Sequence, residues 1–195
     1  MLVAVRHGET SLNAGNQERM RGWLPVPLDI KGMRQAEQAA KHLQEFKNVT
    51  SIYASDLVRT IQTAHEIARL RHMVMEPVEE LRDWNTGKYA GEPVKDVLHI
   101  IRSYMDVPTR KIPEGESFQE FLDRAIPFLK AKVEGKETVI AVTHNRVITL
   151  LVGLLSSKGR KPDMGILKKE GPIQAGEIMV IHSDWTHFIP KLAKA

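Results

Sequence analysis

Apolar and polar positions along the chain alternate between two rhythms. "MLVAV" (1–5) is a short unbroken apolar run of the length of a buried strand. A polar stretch follows to about Leu28. From Asp29, a plausible N-cap, Met33, Ala36, Ala40 and Leu43 recur at helical spacing. "TSIYAS" (50–55) reads as a strand, followed at once by a helix over 56–70 with the stripe Leu57, Ile61, Ala64 and Ala68. "HMVME" (72–76) predicts another strand, and 94–105 another helix. After the loop 106–116, Ser117 and Glu120 form a capping box ahead of Phe118, Phe121, Leu122 and Ala125. Pro127 falls inside that pattern and is expected to kink or split the helix. "ETVIAVTH" (137–144) predicts a fully buried strand, and "NRVITLLVGLLSS" (145–157) a helix apolar nearly all round, hence central. A Lys-rich stretch at 158–172 precedes a last strand, "GEIMVIHS" (176–183).

Strands alternating with helices predict an α/β fold with a mostly parallel sheet. No repeat or linker divides the chain, so a single domain over 1–195 is expected. In such sheets ligands bind beyond the carboxyl ends of the strands, which makes the strand tips the place to look for chemistry. The first strand ends in Arg6-His7-Gly8. The second ends in Ser55-Asp56, with Arg59 one turn further. The late buried strand ends in Thr143-His144-Asn145 at a helix N-terminus. Brought together, two guanidiniums, two imidazoles and free backbone N–H groups would suit a phosphate dianion. Taken singly the signals are weaker. A strand-end histidine is more often a structural hydrogen-bonder, and the helical angle of Arg59 opposes its own apolar stripe, a surface position.

Composition narrows the partners. With 28 Lys and Arg against 24 Asp and Glu, the net charge of +4 suits an anionic small molecule or nucleic acid. The basic residues are scattered and aromatics make up 6%, so no stacking platform for nucleic acid accompanies them. The absence of cysteine excludes disulfides, thiolate metal sites and thiol catalysis. The longest apolar run, Val147 to Leu155, is too short to span a bilayer. A cytoplasmic protein without membrane or nucleic-acid partners is the expectation; a homodimer stays open.

The segments "RHGETSLN", "SDLVRTIQTA", "LRDWNTGKYAG", "GES" and "VTHNRV" occur in the order seen in the histidine phosphatase superfamily, and from Leu2 to about Ser156 the chain resembles its phosphoglycerate mutase-like branch. The resemblance implies a three-layer α/β/α sandwich with a helical or loop cap over 84–117, and no cofactor or metal. It implies His7 as the nucleophile that accepts the phosphoryl group. Arg6, Arg59 and His144 match phosphate-binding residues, His144 also acting in catalysis. Asn13 matches an asparagine that hydrogen-bonds a phosphate oxygen. Arg21 stands where many relatives carry a neutral polar residue, and is expected to help hold a second anionic group of the substrate.

Elementary chemistry agrees with these roles. Neighbouring guanidiniums keep an imidazole nucleophile neutral, and its second nitrogen is expected to donate to a nearby carbonyl. Gly8 is expected to let the backbone turn close to the phosphate. The proton donor is a departure from the family pattern, since Asp83 stands where relatives carry glutamate. Glu80, Glu79 and Glu92 are alternative donors, and loss of the role is a further possibility. The leading expectation is a metal-independent phosphatase acting on small phosphomonoesters through a phosphohistidine. The alternatives are a phosphoglycerate mutase-type transfer, disfavoured by the lack of an "ERHYG"-like stretch and of a longer mid-chain insertion, and a phosphate- or partner-binding module. Specificity is expected in the loop after Arg21, in 84–117 and in the Lys-rich stretch.

Overall fold

The structure, a computed structural model, describes residues 1–13, 18–169 and 171–190. Strands β1 (Leu2–Arg6), β2 (Val49–Ala54), β3 (Met75–Pro77), β4 (Thr138–Thr143), β5 (Ile178–Ile181) and β6 (His187–Phe188) form one sheet in the order β3-β2-β4-β1-β5-β6. The pairings β3–β2, β2–β4 and β4–β1 are parallel, while β1–β5 and β5–β6 are antiparallel. The sheet is therefore mostly parallel, with β5 reversed, so that its amino end lies at the edge where β1 and β4 end.

Strand side chains divide by twos between the faces. Val3, Val5, Ile52, Ala54, Ile140 and Val142 pack with helices α1 (Ile30–Leu43) and α2 (Val58–Arg71). Leu2, Ala4, Val139 and Ala141 pack on the other face with α3 (Val94–Asp106), α4 (Phe118–Glu134) and α5 (Asn145–Leu155). Two cores, one on each face, give the three-layer sandwich. The short helix α6 (Met164–Leu167) and strand β6 have no counterpart in the apolar pattern, being too brief to show a period.

Three predicted details differ. The buried face of α2 is Arg59, Thr60, Thr63, Ala64, Ile67 and Ala68, rotated away from Leu57 and Ile61. Its polar members find partners inside. The Thr60 hydroxyl is 2.9 Å from Ser55 O, and Thr63 Oγ1 donates to Arg59 O while accepting from Gly8 N–H. Met33 on α1 is 36% exposed, because the buried face runs through Gly32, Ala36, Ala39, Ala40 and Leu43. Pro127 leaves α4 unbroken over 17 residues. The ring and Asp123, whose carbonyl it deprives of a donor, both lie on the exposed side, where water replaces the lost bond. The capping box at Ser117 and Glu120 forms as expected, with both reciprocal bonds present.

Candidate active site

The sheet brings its three polar tips together. Arg6 of β1 is paired with Thr143 of β4, so His7 and His144 leave adjacent parallel strands at the same level. Their rings meet edge to face with centroids 5.1 Å apart. Ser55 follows β2, the other neighbour of β4, and its Oγ lies 2.9 Å from His144 Nε2. Arg59, in the first turn of α2, is fully buried beside both imidazoles.

His7 Nδ1 lies 2.7 Å from the Gly8 carbonyl, so this nitrogen carries the proton and donates, leaving Nε2 unprotonated. Burial, with Arg59 and Arg21 next in influence, holds the His7 pKa well below the ordinary imidazole value. Burial and Arg59 do the same for His144. Both rings are neutral at pH 7. Burial also lowers Arg59, to about 10, and it remains a cation at neutral pH.

Gly8 is required by a contact different from the expected one. A Cβ there would stand 2.3 Å from Gly32 O, and a Cβ on Gly32 would stand 2.0 Å from Glu9 O. The loop carrying His7 thus lies backbone to backbone on the first turn of α1. Thr63 Oγ1 pins the same loop through Gly8 N–H.

The arginines are held by carbonyls rather than carboxylates. Arg59 Nη1 donates to Leu24 O (3.0 Å) and Nη2 to Gly22 O (2.9 Å), and Arg6 Nη1 donates to Ile173 O (2.8 Å). Each keeps its full charge for another partner. The buried Nε of Arg6, the buried Nε of Arg59 and the buried Nδ1 of His144 have no hydrogen-bond partner among the described residues. Three orphaned polar nitrogens on residues of one site are costly unless an anion completes them. Asn13 has its Oδ1 occupied by the N–H and hydroxyl of Thr10, at 2.8 and 2.9 Å, which turns its amide N–H groups outward as donors.

A cavity of about 320 Å³ opens next to this centre, and Arg6, Asn13, Arg21 and Asp83 line it. His7, Arg59 and His144 are buried and do not themselves line it; Arg6 and Asn145, chain neighbours of the two histidines, and Gly22, whose carbonyl accepts from Arg59, do. Arg21 bonds Leu12 O and pairs with Glu18, both at 3.3 Å. The cap segment contributes Trp84, Thr86, Val94, Leu98, Ile101 and Arg102.

Of the candidate proton donors, only Asp83 lines the cavity. Glu79 is exposed and paired with Arg82, Glu92 is exposed, and Glu80 offers Arg124 only its backbone carbonyl. Glu9 and Glu18, which sequence reasoning passed over, also line the cavity, but each is tied to a cation, Lys31 and Arg21 respectively. The Asp83 carboxylate accepts only from the N–H of Trp84 among the described residues.

Arg124 of α4 was likewise invisible in the sequence, since it occupies an ordinary polar position of an amphipathic helix. Its Nη1 faces the carbonyls of Glu79, Glu80 and Arg82 at 3.0–3.2 Å, and Nη2 donates to Asp83 O at 2.8 Å. Glu116 grips the same guanidinium from the other side. Trp23 Nε1 adds a second donor to Asp83 O, at 2.7 Å. Arg82 pairs with Asp56 at the start of the turn.

Two histidines and an arginine at adjacent parallel strand tips, with a second arginine in the first turn of α2 beside them, define a phosphoryl-handling α/β protein. The chain belongs to the histidine phosphatase superfamily, branch 1, whose family model matches residues 2–164. It is 32% identical to a metal-independent phosphoserine phosphatase of Arabidopsis thaliana, over 82% of this chain and 71% of that one. It is 28% identical to a 2,3-bisphosphoglycerate-dependent phosphoglycerate mutase of Methanosarcina mazei, over 93% and 89%. Among solved structures, a mycobacterial glucosyl-3-phosphoglycerate phosphatase superposes with a TM-score of 0.73 at 25% identity, covering 91% of this chain and 90% of its own. Phosphatases and mutases alike transfer phosphoryl groups, and this is the chemistry of the family. Among the described residues no helix is long and apolar enough to cross a membrane, and no group of three or more acidic or histidine side chains is placed to hold a metal ion.

Proposed function

We propose that this protein is a metal-independent phosphatase of small phosphomonoesters, working through a phosphohistidine on His7. The observation that carries the reading is the set of orphaned nitrogens on Arg6, Arg59 and His144, three neighbours of an imidazole whose other nitrogen is already committed to Gly8 O. The Ser55 hydroxyl, which accepts from Leu57 N–H, can give its own proton to His144 Nε2, and in that tautomer the His144 proton sits on Nδ1, the orphaned atom. All three orphans are then donors, and a phosphoryl group supplies the acceptors.

Nε2 of His7 attacks phosphorus and forms the P–N bond as the P–O bond to the leaving group breaks. Asp83, in its acid form, gives its proton to the departing oxygen. In the second half a water attacks the phosphohistidine, the Asp83 carboxylate takes the water's proton, and the P–N bond breaks to release phosphate. Arg6, Arg59 and Asn13 bind the equatorial oxygens, where charge is spread in the transition state.

The mutase reading is favoured by the relative from Methanosarcina mazei, which matches most of both chains. In that case the phosphohistidine returns its phosphoryl group to a second hydroxyl instead of water. One experiment separates the two. The phosphatase hydrolyses p-nitrophenyl phosphate in the presence of EDTA, loses about a thousandfold or more of that rate in His7→Ala, and forms no 2-phosphoglycerate from 3-phosphoglycerate primed with 2,3-bisphosphoglycerate. Activity that EDTA removes and added metal restores overturns the mechanism, and rapid 2-phosphoglycerate formation assigns the mutase.

A further inference from the structure

A second cavity, of about 600 Å³, lies apart from the candidate active site and shares no lining residue with it. Its walls come from three places: the C-terminal end of α3, one face of α4 and the loop that leads into α6. On α4, Gln119, Leu122, Asp123, Ile126 and Pro127 recur at helical spacing along the wall. Met105 and Leu122 are the buried members of the lining, and Ile126 and Met164 are half-buried. Each wall also contributes a proline: Pro108 after α3, Pro127 within α4 and Pro162 in the loop. Pro127 costs α4 a backbone hydrogen bond, and its ring stands in this lining. Rings of fixed geometry preform the space, and the two methionines adapt to what fills it. The volume is in the middle of the range for small-molecule sites.

The polar part of the lining selects the charge of the occupant. Both carboxylates are already engaged. Asp106 pairs with Lys168, and Asp123 Oδ1 accepts from Gln119 Nε2 at 2.7 Å. Arg160 and Lys161 have no carboxylate partner among the described residues. The Arg160 guanidinium spends only its Nε there, on Ser157 O at 3.1 Å. The unspent charge at this apolar space is positive, which favours a molecule with an anionic end.

Helix α3 joins the two cavities. Leu98, Ile101 and Arg102 line the candidate active-site cavity, and Met105 and Asp106 at the end of the same helix line the second. The α6 segment repeats the arrangement, with Met164 on the second cavity and Lys169 on the first. A ligand packed against Met105 and Met164 would brace both elements and so bias the space at their other ends.

We propose that the second cavity is an effector site for a soluble amphipathic anion, an apolar body carrying one carboxylate, and that its occupancy changes anion affinity at the active site through α3. Calorimetric titration with three probes that share an alkyl chain tests the site: octanoate, octan-1-ol and octylamine, in saturating inorganic phosphate to fill the active-site cavity. Octanoate is expected to bind about tenfold or more tighter than octylamine. That preference is expected to fall to within about threefold of unity when Arg160→Gln and Lys161→Gln are combined. Ile126→Asp, which puts a carboxylate into the apolar wall, is expected to weaken octanoate by about tenfold or more. Thermal unfolding midpoints near that of the wild type show that the variants are folded, and the surface pair Arg160 and Lys161 decides the matter if Ile126→Asp is not. For the coupling, inorganic phosphate is titrated with and without saturating octanoate. Its Kd is expected to shift by about threefold or more in the wild type and not in Ile126→Asp. No octanoate binding, equal affinities for octanoate and octylamine, or binding unchanged in the variants would each overturn the site. A phosphate Kd indifferent to octanoate, or a shift that persists in Ile126→Asp, would overturn the effector role. Failure of the phosphatase reading shows separately, as absent turnover of p-nitrophenyl phosphate with octanoate binding intact.

Discussion

In the proposed mechanism His7 is a buried side chain that has to stay reactive, and its surroundings resolve that conflict with two separate devices. The bond to Gly8 O fixes the tautomer, and burial with Arg59 close by keeps the ring neutral, so Nε2 is a free lone pair at pH 7. In the proposed role of proton donor Asp83 needs a different environment, because a donor must exchange its proton with water between half-reactions. It is half-buried, lines the cavity and has no cationic partner within bonding distance among the described residues. Leaving-group dependence tests its role. Asp83→Asn is expected to slow hydrolysis of an alkyl phosphate such as glycerol 3-phosphate by about a hundredfold or more. The loss on p-nitrophenyl phosphate should be about tenfold at most, because a nitrophenolate departs without a proton. Equal losses on both would remove Asp83 from the donor role. The resemblance put Asp83 ahead of Glu79, Glu80 and Glu92; what the sequence could not show is which carboxylate lines the cavity unpaired, a property of packing.

Elements deliver these residues through contacts that hydropathy does not register. The helix α2 carries polar residues on its buried face, and a pattern of apolar spacing therefore turned its predicted face away from Arg59. Thr60 and Thr63 satisfy their hydroxyls locally, which allows the helix to press a guanidinium into the core. By contrast, β1 and β4 were plain in the sequence, since strands buried on both faces read as unbroken apolar runs. Helix α4 acts at a distance: Arg124 ties together the carbonyls of residues 79–83 and so sets where the Asp83 carboxyl stands. It is a positioning residue. Replacing it, Arg124→Gln, releases the turn and is expected to lower kcat on glycerol 3-phosphate by about tenfold or more, with KM for p-nitrophenyl phosphate changed by less than about threefold. Stability should fall by roughly 2–4 kcal/mol, as Glu116 loses its charged partner in a part-buried site. A purely structural role would predict that both substrates suffer alike, and steady-state kinetics on the pair distinguishes the two.

At the scale of the whole molecule, the site imposes a dependence of stability on pH. Two imidazoles are buried neutral at the meeting point of β1 and β4, with their pKa values well below 6.5 in the folded state. In the unfolded chain each titrates near 6.5. As pH falls below that value, the unfolded state takes up protons that the folded state refuses, and folding loses about 1.4 kcal/mol per pH unit for each ring. The folded protein is therefore most stable above pH 6.5 in this respect, and unfolding free energy from urea titrations should drop by up to about 2–3 kcal/mol per unit on going from pH 6 to pH 5. The carboxylates with lowered pKa values, Asp56, Glu120 and Asp184, withdraw their contribution only near and below pH 4, so the window from 5 to 7 isolates the histidines. His144→Gln should remove about half of the slope. The measurement belongs in a buffer without phosphate, because an anion bound by Arg6 and Arg59 would draw a proton onto the imidazoles and flatten the curve. A stability that stays level between pH 7 and 5 would mean that the rings are solvated and protonated together with the rest of the surface, and the neutral-nucleophile geometry at His7 would fall with it.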